Sequence, residues 1–267
     1  MRTEPEIEFL DLREEHNPQL LESFYRALYQ PAFTSPAEVE TPDIWQPLLC
    51  GPDPGAPSPI FHVLLAGQGL RSPAPALYGG LLFEFYRESR CGFLTYLVVG
   101  ETYRGGGLGR RLVEQGIAIL HQDARRSANG EGSGVNAVFA ELHDPRKVQS
   151  DAMDPWLRVT IFEKLGFRIL DMPYIQPELI RGRGRSRDLM LAVLATARAA
   201  TAFPSSVVLP FLQEFYRSLG VDELDTDPDF REMVQALPGD TVPFVPRGAR
   251  GISARPAGGH HSPPHAQ

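Results

Sequence analysis

The sequence predicts an α/β fold: a mixed, mostly antiparallel sheet with flanking helices and a C-terminal helical extension. Three apolar runs separated by turn residues predict an antiparallel meander, at Ile60 to Leu65, Ala76 to Tyr86 and Gly92 to Val99. An amphipathic helix and a further run, Asn136 to Leu142, follow them. The order strand, helix, strand predicts a right-handed crossover, so the strands on either side of this helix should lie parallel.

Composition narrows the class of protein. The chain has 267 residues, of which 42% are hydrophobic, which is enough for a sizeable core. Its net charge of −7 gives no general attraction to nucleic acid or to an anionic membrane. Cys50 and Cys91 offer neither a disulfide framework nor metal-ligand spacing, and no run approaches a membrane span. We expect a cytoplasmic protein without metal, nucleic-acid or membrane partners.

The N-terminal part should form a strand followed by two helices. A short β run covers Ile7 to Leu10. Asn17 precedes Pro18, as an N-cap precedes a proline at the first helical position, and this helix should end near Pro31. The pair Thr41 and Pro42 repeats the signature before a second short helix.

After the crossover, Ala124 to Gly134 is polar and small, which predicts a surface loop. Asp154 and Pro155 then begin a helix that ends at Gly166. Two strands should follow, Arg168 to Ile175 and Asp188 to Leu194. The arginine- and glycine-rich segment 181–187 between them is interpreted as a charged hairpin connection in preference to a nucleic-acid site.

Beyond residue 195, two helices are predicted at Val207 to Leu219 and Asp229 to Leu237. The apolar stripe of the first must be buried on the core or on a second subunit, which leaves a homodimer open. From Pro238 onward the composition predicts disorder, and the adjacent His260 and His261 are not read as a metal site. We therefore expect three parts: residues 1–195, a helical extension at 196–238 and a disordered tail at 239–267.

The stretch Phe93 to Arg111 carries the strongest functional signal. A strand breaks at Gly100, passes through three consecutive glycines and continues as an amphipathic helix. Free N–H groups and the positive end of the helix dipole make such a terminus an anion site, and Arg104 adds charge. A dinucleotide motif would need glycine where Arg110 stands, and a Walker loop would need a Gly-Lys-Ser/Thr that is absent.

The segment Arg-Gly-Gly-Gly-Leu-Gly at 104–109, after Leu-Val-Val, resembles the acyl-coenzyme A binding motif of the GNAT N-acetyltransferases. Glu101 stands where that family often has proline. A second resemblance, aromatic-x-x-x-Gly-Phe, covers Phe162 to Phe167. The resemblance implies that acetyl-CoA is the acyl donor and is held by the following residues: Leu97, Val98, Val99, Arg104, Gly105, Gly106, Gly107, Leu108, Gly109 and Arg110.

The same resemblance implies direct acetyl transfer to an amine, at a V where the two parallel strands splay apart. A backbone N–H of Val98 or Val99 would polarise the thioester carbonyl. Our first choice for the general base is Glu141, with His143 and Glu84 as runners-up. The tyrosine that this family often uses as the acid falls on Phe162, which leaves Tyr174 as the nearest alternative in the sequence.

The acceptor should be an amine of a small molecule or peptide, with a slight preference for a small cation. Five aromatic residues of the N-terminal helices border the expected acceptor site, although most should be core: Phe24, Tyr25, Tyr29, Phe33 and Trp45. Gln176 is a further candidate contact. Two alternatives stay open: a non-catalytic acyl-CoA binding or sensing protein, because Phe162 has no proton to give, and an interaction protein acting through its C-terminal helices.

Overall fold

The computed structural model describes residues 6–33, 39–51, 59–127, 134–148, 153–179, 182–195, 199–237 and 239–247. Its strands are β1 (Glu8–Asp11), β2 (Ile60–Gln68), β3 (Ala76–Tyr86), β4 (Cys91–Val99), β5 (Ala137–His143), β6 (Phe167–Ile169), β7 (Leu189–Leu194), β8 (Ala202–Pro204) and β9 (Thr241–Pro243). Its helices are α1 (Pro18–Phe24), α2 (Gln30–Ala32), α3 (Pro42–Leu49), α4 (Leu108–Ser127), α5 (Pro155–Leu165), α6 (Ser205–Ser218) and α7 (Pro228–Ala236). Within these ranges no helix has the length and apolar character that crossing a membrane requires.

A seven-stranded mixed sheet organises the molecule, in the order β1-β2-β3-β4-β5-β7-β6. Strands β1 to β4 pair antiparallel with their neighbours, as do β5, β7 and β6. Among the described strands, only β4 and β5 run parallel to each other, and the crossover helix α4 joins them. The mostly antiparallel sheet with one parallel pair, predicted from the order of strands and helices, is confirmed.

The parallel pair separates halfway along its length. Pairing begins at Cys91 with Ala137 and ends at Leu94 with Ala140. Beyond this point β4 keeps only β3 as a partner, while β5 keeps only β7. The register between β3 and β4 also shifts here, which leaves Thr95 as an extra residue on β4. A V therefore opens between the last residues of β4 and those of β5.

Three helix starts follow the local signals in the sequence. The side chain of Asn17 accepts a hydrogen bond from the N–H of Leu20 at 3.0 Å. Asp154 and Asp227 do the same at α5 and α7, at 2.9 and 2.8 Å, and each is followed by proline. Thr41 precedes α3 without such a bond from its side chain. These caps satisfy backbone donors that a helix start leaves unpaired.

The first helix contains a widened turn. A π-helical turn, Tyr25–Tyr29, follows α1 directly and leads into the short helix α2. The extra residue in this turn changes the direction of the following side chains. Tyr29, fully buried, packs edge-on against Trp45 at 4.7 Å and against Tyr96 of β4 at 5.0 Å between ring centres. The N-terminal helices are thereby fixed over the open half of β4.

Helices cover both faces of the sheet. On one face, α4 packs its apolar stripe against β3. On the other face α1 lies so close to the sheet that a Cβ on Gly80 would stand 2.4 Å from the ring of Phe24. Gly80 allows this close approach because it has no side chain.

The C-terminal helices pack on the same chain. Phe211 of α6 stacks on Phe139 of β5 at 4.3 Å and lies 5.7 Å from Phe93 of β4. Residues of β4, β5, α6 and α7 share one hydrophobic cluster. The apolar stripe of α6, for which the sequence left two alternatives, is buried against the sheet of its own subunit.

Three expectations differ from the structure. The predicted strand Arg168 to Ile175 ends at Ile169, because the peptide N–H of Asp171 turns to the carbonyl of Pro243 and Pro173 has no N–H to pair. Helix α4 extends to Ser127, since Ala124 is fully buried where we expected a loop.

The third difference concerns the tail. We expected disorder from residue 239, but β9 pairs with β8 because Val242 and Phe244 are buried in the cluster around α6. The rest of that tail, residues 248–267 with His260 and His261, lies outside the described residues, as do residues 128–133 and Arg181.

Candidate active site

The glycine turn before α4 forms an open cradle. Gly105 and Gly107 have φ of +83° and +81°, a conformation that glycine adopts without strain. A Cβ at either position would have no atom within 4 Å. The helix begins with a bond from the N–H of Arg111 to the carbonyl of Gly107 at 3.1 Å, so the preceding amides take no part in helical bonding. An exposed terminus with these free donors fits a pyrophosphate.

The arginines around the cradle have different partners. Arg104 folds back so that its Nε donates to the carbonyl of Val99 at 3.0 Å, and it remains half exposed at the cradle. Arg110 donates instead to the carbonyl of Lys164, at the end of α5, at 2.6 Å. Arg111 lies over the ring of Phe9, 5.0 Å from its centre. Arg104 is thus the arginine best placed to meet an anion here.

The open edge of β4 connects the cradle to the vertex of the V. Leu97 and Val99 are half-buried, and Val98 is 5% exposed. In the described part of the chain, no strand pairs with this segment on the side of β5. At the vertex, the hydroxyl of Thr95 is buried and makes no hydrogen bond to any described residue. The edge thus offers free backbone groups to an extended ligand.

Three residues that the sequence singled out meet at the other arm of the V. The hydroxyl of Tyr174 donates to one oxygen of Glu141, and the side-chain amide of Gln176 donates to the other at 2.5 Å. Burial, followed by the charge of Glu141, raises the pKa of Tyr174 well above its usual range. Tyr174 is therefore a weak acid that orients Glu141. The two donated hydrogen bonds fix the orientation of the carboxylate.

His143, the other predicted catalytic residue on β5, has a different environment. Its Nδ1 accepts a hydrogen bond from the guanidinium of Arg158 at 3.0 Å. Phe162, at the position of the missing tyrosine, packs edge-on against Phe167 at 5.4 Å. Neither residue joins the contacts around Glu141 described above.

Glu84 is held on β3, beside the parallel pair. It lies opposite Phe93 of β4, and the hydroxyl of Tyr86 donates to its carboxylate. Burial raises the pKa of Glu84 to about 7, the hydrogen bond from Tyr86 opposes the rise, and the charge of Glu40 adds to it. Glu84 is half-buried. Its carboxyl group can gain or lose a proton at neutral pH.

A third carboxylate, Glu40, comes from the loop before α3. The indole of Trp45 donates to it at 3.2 Å, and its own N–H donates to the hydroxyl of Tyr29 at 3.1 Å. Burial raises the pKa of Glu40, and hydrogen bonds from Trp45 and Tyr96 oppose this. Within the described ranges, neither Glu40 nor Glu84 forms an ion pair. The two carboxylates therefore have no compensating cation among the described residues.

Sequence reasoning named Glu84 only as a runner-up for the base and missed Tyr86, Glu40 and Tyr96. Glu84 and Tyr86 are two apart on a strand, and this spacing could have placed them on one face. Glu40 lies in a loop and Tyr96 pairs with it only in three dimensions, so no local pattern marks either. Of the expected aromatics, Phe24, Tyr29 and Trp45 are fully buried, whereas Tyr25 and Phe33 are half-buried. Among the described residues, no group of His, Cys, Asp and Glu is arranged to hold a metal ion.

A splayed parallel pair, with a glycine cradle at one end and carboxylates at the other, is the main feature of the candidate site. Residues 23–130 match the family model described as the acetyltransferase (GNAT) family. Over this span the chain is similar to the GNAT acetyltransferases. A search of curated protein sequences found no significant match.

Solved structures resemble the chain in part. A protein from Bacteroides thetaiotaomicron, described as an acetyltransferase of the GNAT family, is 14% identical over 73% of this chain and 89% of its own, with a TM-score of 0.46. The ribosomal-protein-S18-alanine N-acetyltransferase of Escherichia coli is 17% identical over 73% and 97%, with a TM-score of 0.43. A streptothricin acetyltransferase from Bacillus anthracis in complex with acetyl coenzyme A is 14% identical over 54% and 65%, with a TM-score of 0.34. Such distant likenesses say nothing about the substrate.

Proposed function

We propose that this protein transfers an acetyl group from acetyl-CoA directly to the amine of a small cationic acceptor. The observation that carries the proposal is the open edge of β4, which begins at the glycine cradle and ends at the carboxylates. A donor lying along this edge would present its acyl group where Glu84 and Glu141 approach from neighbouring strands. Glu84 lies opposite Phe93, and Phe93 lies opposite Phe139, which is two residues before Glu141 on the same face of β5.

The cradle and the edge would hold the donor in two parts. Backbone amides of residues 105–109, with Arg104, would bind the pyrophosphate, and the free edge at Leu97, Val98 and Val99 would pair with the pantetheine arm. When bound, acetyl-CoA supplies the activated acyl group as a thioester. A backbone N–H of Val98 or Val99 would polarise the thioester carbonyl.

The proposed acceptor site, beside Glu40 and Glu84, suits a positively charged molecule. Glu40 and Glu84 are deeply placed without a cation among the described residues, and the pKa of each is raised first by burial. Bringing a cationic amine beside them would replace lost hydration with a direct attraction. Tyr96, which hydrogen-bonds to Glu40, and the half-buried Phe33 beside it supply aromatic rings nearby, and cations bind favourably to such rings.

The two carboxylates nearest the vertex have different roles. Glu141 was our first choice for the base, but Tyr174 and Gln176 occupy both of its oxygens, which suits it to bind an ammonium group. Glu84 has one bonded oxygen and a pKa of about 7, which suits it to take a proton from the amine. We therefore assign general base catalysis to Glu84 and acceptor binding to Glu141.

No side chain is assigned to protonate the departing thiolate. Phe162 has no proton to donate, and the proton of Tyr174 is held by Glu141. A thiol has a pKa of about 8.5, so its thiolate is a good leaving group that can take a proton from water afterwards.

The test combines calorimetric titration of acetyl-CoA with an assay of thiol release over a panel of mono-, di- and polyamines. We expect micromolar binding, its loss in a folded Arg104→Glu/Gly107→Glu double variant, and turnover with a cationic amine. Binding without turnover on any amine would favour the sensing alternative, for which Phe162 is the supporting observation. Absence of binding in the unaltered protein would contradict both functions.

A further inference from the structure

The C-terminal extension holds a single residue of the β6–β7 connection by both of its backbone groups. The hydroxyl of Tyr216, on α6, donates to the carbonyl of Ile175 at 2.6 Å. The N–H of Ile175 donates to the sulfur of Met233, on α7, at 3.3 Å. All three residues are at most 1% exposed. Buried backbone groups that are bound in this way have little freedom to move.

The two neighbours of Ile175 are the residues that hold Glu141. Tyr174 and Gln176 each donate to one carboxylate oxygen. Gln176 also exchanges two backbone hydrogen bonds with Ser186, at 2.9 and 3.1 Å. The segment 174–176, which we name the Glu141 clamp, is thus bound to the carboxylate on one side and to the extension on the other.

Charged contacts fix the extension to the same connection. Arg185 donates to the carboxylates of Asp227 and Asp229 at 2.5 and 2.8 Å, and Arg187 reaches Glu232. The arginine-rich segment therefore binds α7 through ion pairs. This agrees with its interpretation as a charged connection. Partial burial of Arg185 and Asp227 makes their pairing stronger than that of exposed ions.

The extension also contacts the strand that carries Glu84. Glu214 of α6 accepts hydrogen bonds from the N–H groups of Glu88 and Ser89, at 3.0 and 2.8 Å, in the turn after β3. Phe211 packs edge-on against Tyr86 at 5.5 Å. Residues of α6 therefore contact the strand that carries Glu84 and the clamp that holds Glu141.

We propose that Tyr216 is a positioning residue of the acceptor site, and that it acts through Ile175 to keep the Glu141 clamp in place. This inference rests on the proposed function. It gives the helical extension a role in binding the acceptor: the hydroxyl of Tyr216 fixes the backbone between Tyr174 and Gln176, and these two fix the orientation of Glu141.

The test is Tyr216→Phe, which removes one hydroxyl and keeps the ring that packs on Phe230. We expect the KM for the amine to rise about tenfold, as for the loss of one well-formed buried hydrogen bond, while the Kd for acetyl-CoA stays unchanged. Val208→Ala is the matched control, because Val208 is fully buried in α6 and takes part in none of the hydrogen bonds that hold the clamp. It should lower thermal stability and leave both constants unchanged.

A second readout does not require turnover. In protein labelled at the glutamate carboxyl carbons, the resonance of Glu141, assigned by its absence in Glu141→Gln, should shift in Tyr216→Phe and stay in place in Val208→Ala. An unchanged resonance, or an amine KM within twofold of the unaltered protein, would overturn the proposal. An unaltered protein that acetylates no amine would instead reject the proposed function, while the resonance still decides the position of Glu141.

Discussion

The hydroxyl of Tyr86 donates a hydrogen bond to the carboxylate of Glu84, two residues earlier on the same face of β3. Tyr86 is fully buried, and burial, followed by the charge of Glu84, raises the pKa of its hydroxyl. The hydroxyl therefore stays protonated and acts as a fixed donor. One carboxylate oxygen of Glu84 is thereby held, which limits rotation of the carboxyl group.

Glu84 should control the pH dependence of turnover. Because burial raises its pKa from 4.5 to about 7, the base form is scarce below pH 7 and predominates above it. We expect kcat/KM to rise with pH and to level off above an inflection near 7. Glu84→Gln should lower kcat by about 10²- to 10⁴-fold, the usual contribution of a general base. Glu88→Gln, an exposed neighbour, is the control, and an inflection that persists in Glu84→Gln would contradict the assignment.

Removing the charge of Glu141 should affect the acceptor alone. In Glu141→Gln we expect the KM for the amine to rise about tenfold to a hundredfold, the cost of losing a charge-assisted hydrogen bond. Calorimetry should give an unchanged Kd for acetyl-CoA. Glu223→Gln, at an exposed site on the extension, should change neither constant. An equal loss of acetyl-CoA affinity would show that Glu141 supports the donor site instead.

The cradle should tolerate no side chain at Gly107. Gly107→Ala introduces a Cβ at φ +81°, facing the space proposed for the pyrophosphate. We expect acetyl-CoA to bind about tenfold more weakly by calorimetry, since even one methyl group displaces a close backbone contact. Gly220→Ala is the control for backbone strain, because Gly220 has the same φ of +81° and a Cβ there would have no atom within 4 Å. If both variants bind acetyl-CoA equally, the cradle lies elsewhere.

A buried histidine should make stability depend on pH. The two ring nitrogens of His62 lie 2.7 Å from Asp11 and 2.9 Å from Asp123. Burial lowers the pKa of His62, but hydrogen bonds and charges from the two carboxylates outweigh it, and the net pKa is raised above 6.5. A raised folded-state pKa adds stability below the unfolded value, and this contribution disappears as the pH rises through the folded one.

The variant His62→Gln measures that contribution. At pH 6 we expect it to lower the free energy of unfolding by about 3 kcal/mol, because it leaves buried carboxylates without their cation. The difference from the unaltered protein should shrink as the pH rises toward 9. Chemical denaturation at several pH values gives both quantities, with the exposed His16→Gln as control. A difference that stays constant with pH would mean that His62 is neutral in the fold.

Much of the fold could be predicted because its signals are local. Asn17, Asp154 and Asp227 each stand within three residues of the amide that they cap. The strand, glycine turn and helix around Gly107 are likewise consecutive in sequence. Alternation and helical spacing place residues without knowledge of distant parts of the chain.

The acceptor site could be predicted only in part, because its contacts are distant in sequence. Tyr174 is 33 residues from Glu141, and Glu214 is 125 residues from Ser89. Glu40 has no periodic pattern around it, and its high pKa comes from burial that only the packed structure creates. The π-helical turn at Tyr25–Tyr29 depends on packing against Trp45 and Tyr96, so the sequence shows only an ordinary helix.

The V between β4 and β5 places a sheet edge in the middle of the sheet. An outer edge strand can recruit a segment of another protein and begin aggregation. Here the free edge of β4 faces a flanking strand of the same sheet, and the gap opens only beyond Leu94. Adjacent strands need about 4.8 Å on each side, so another protein's strand would meet β5 before it could pair along the whole edge. The gap therefore protects this edge from pairing with other protein chains and leaves it accessible to a narrow, extended ligand.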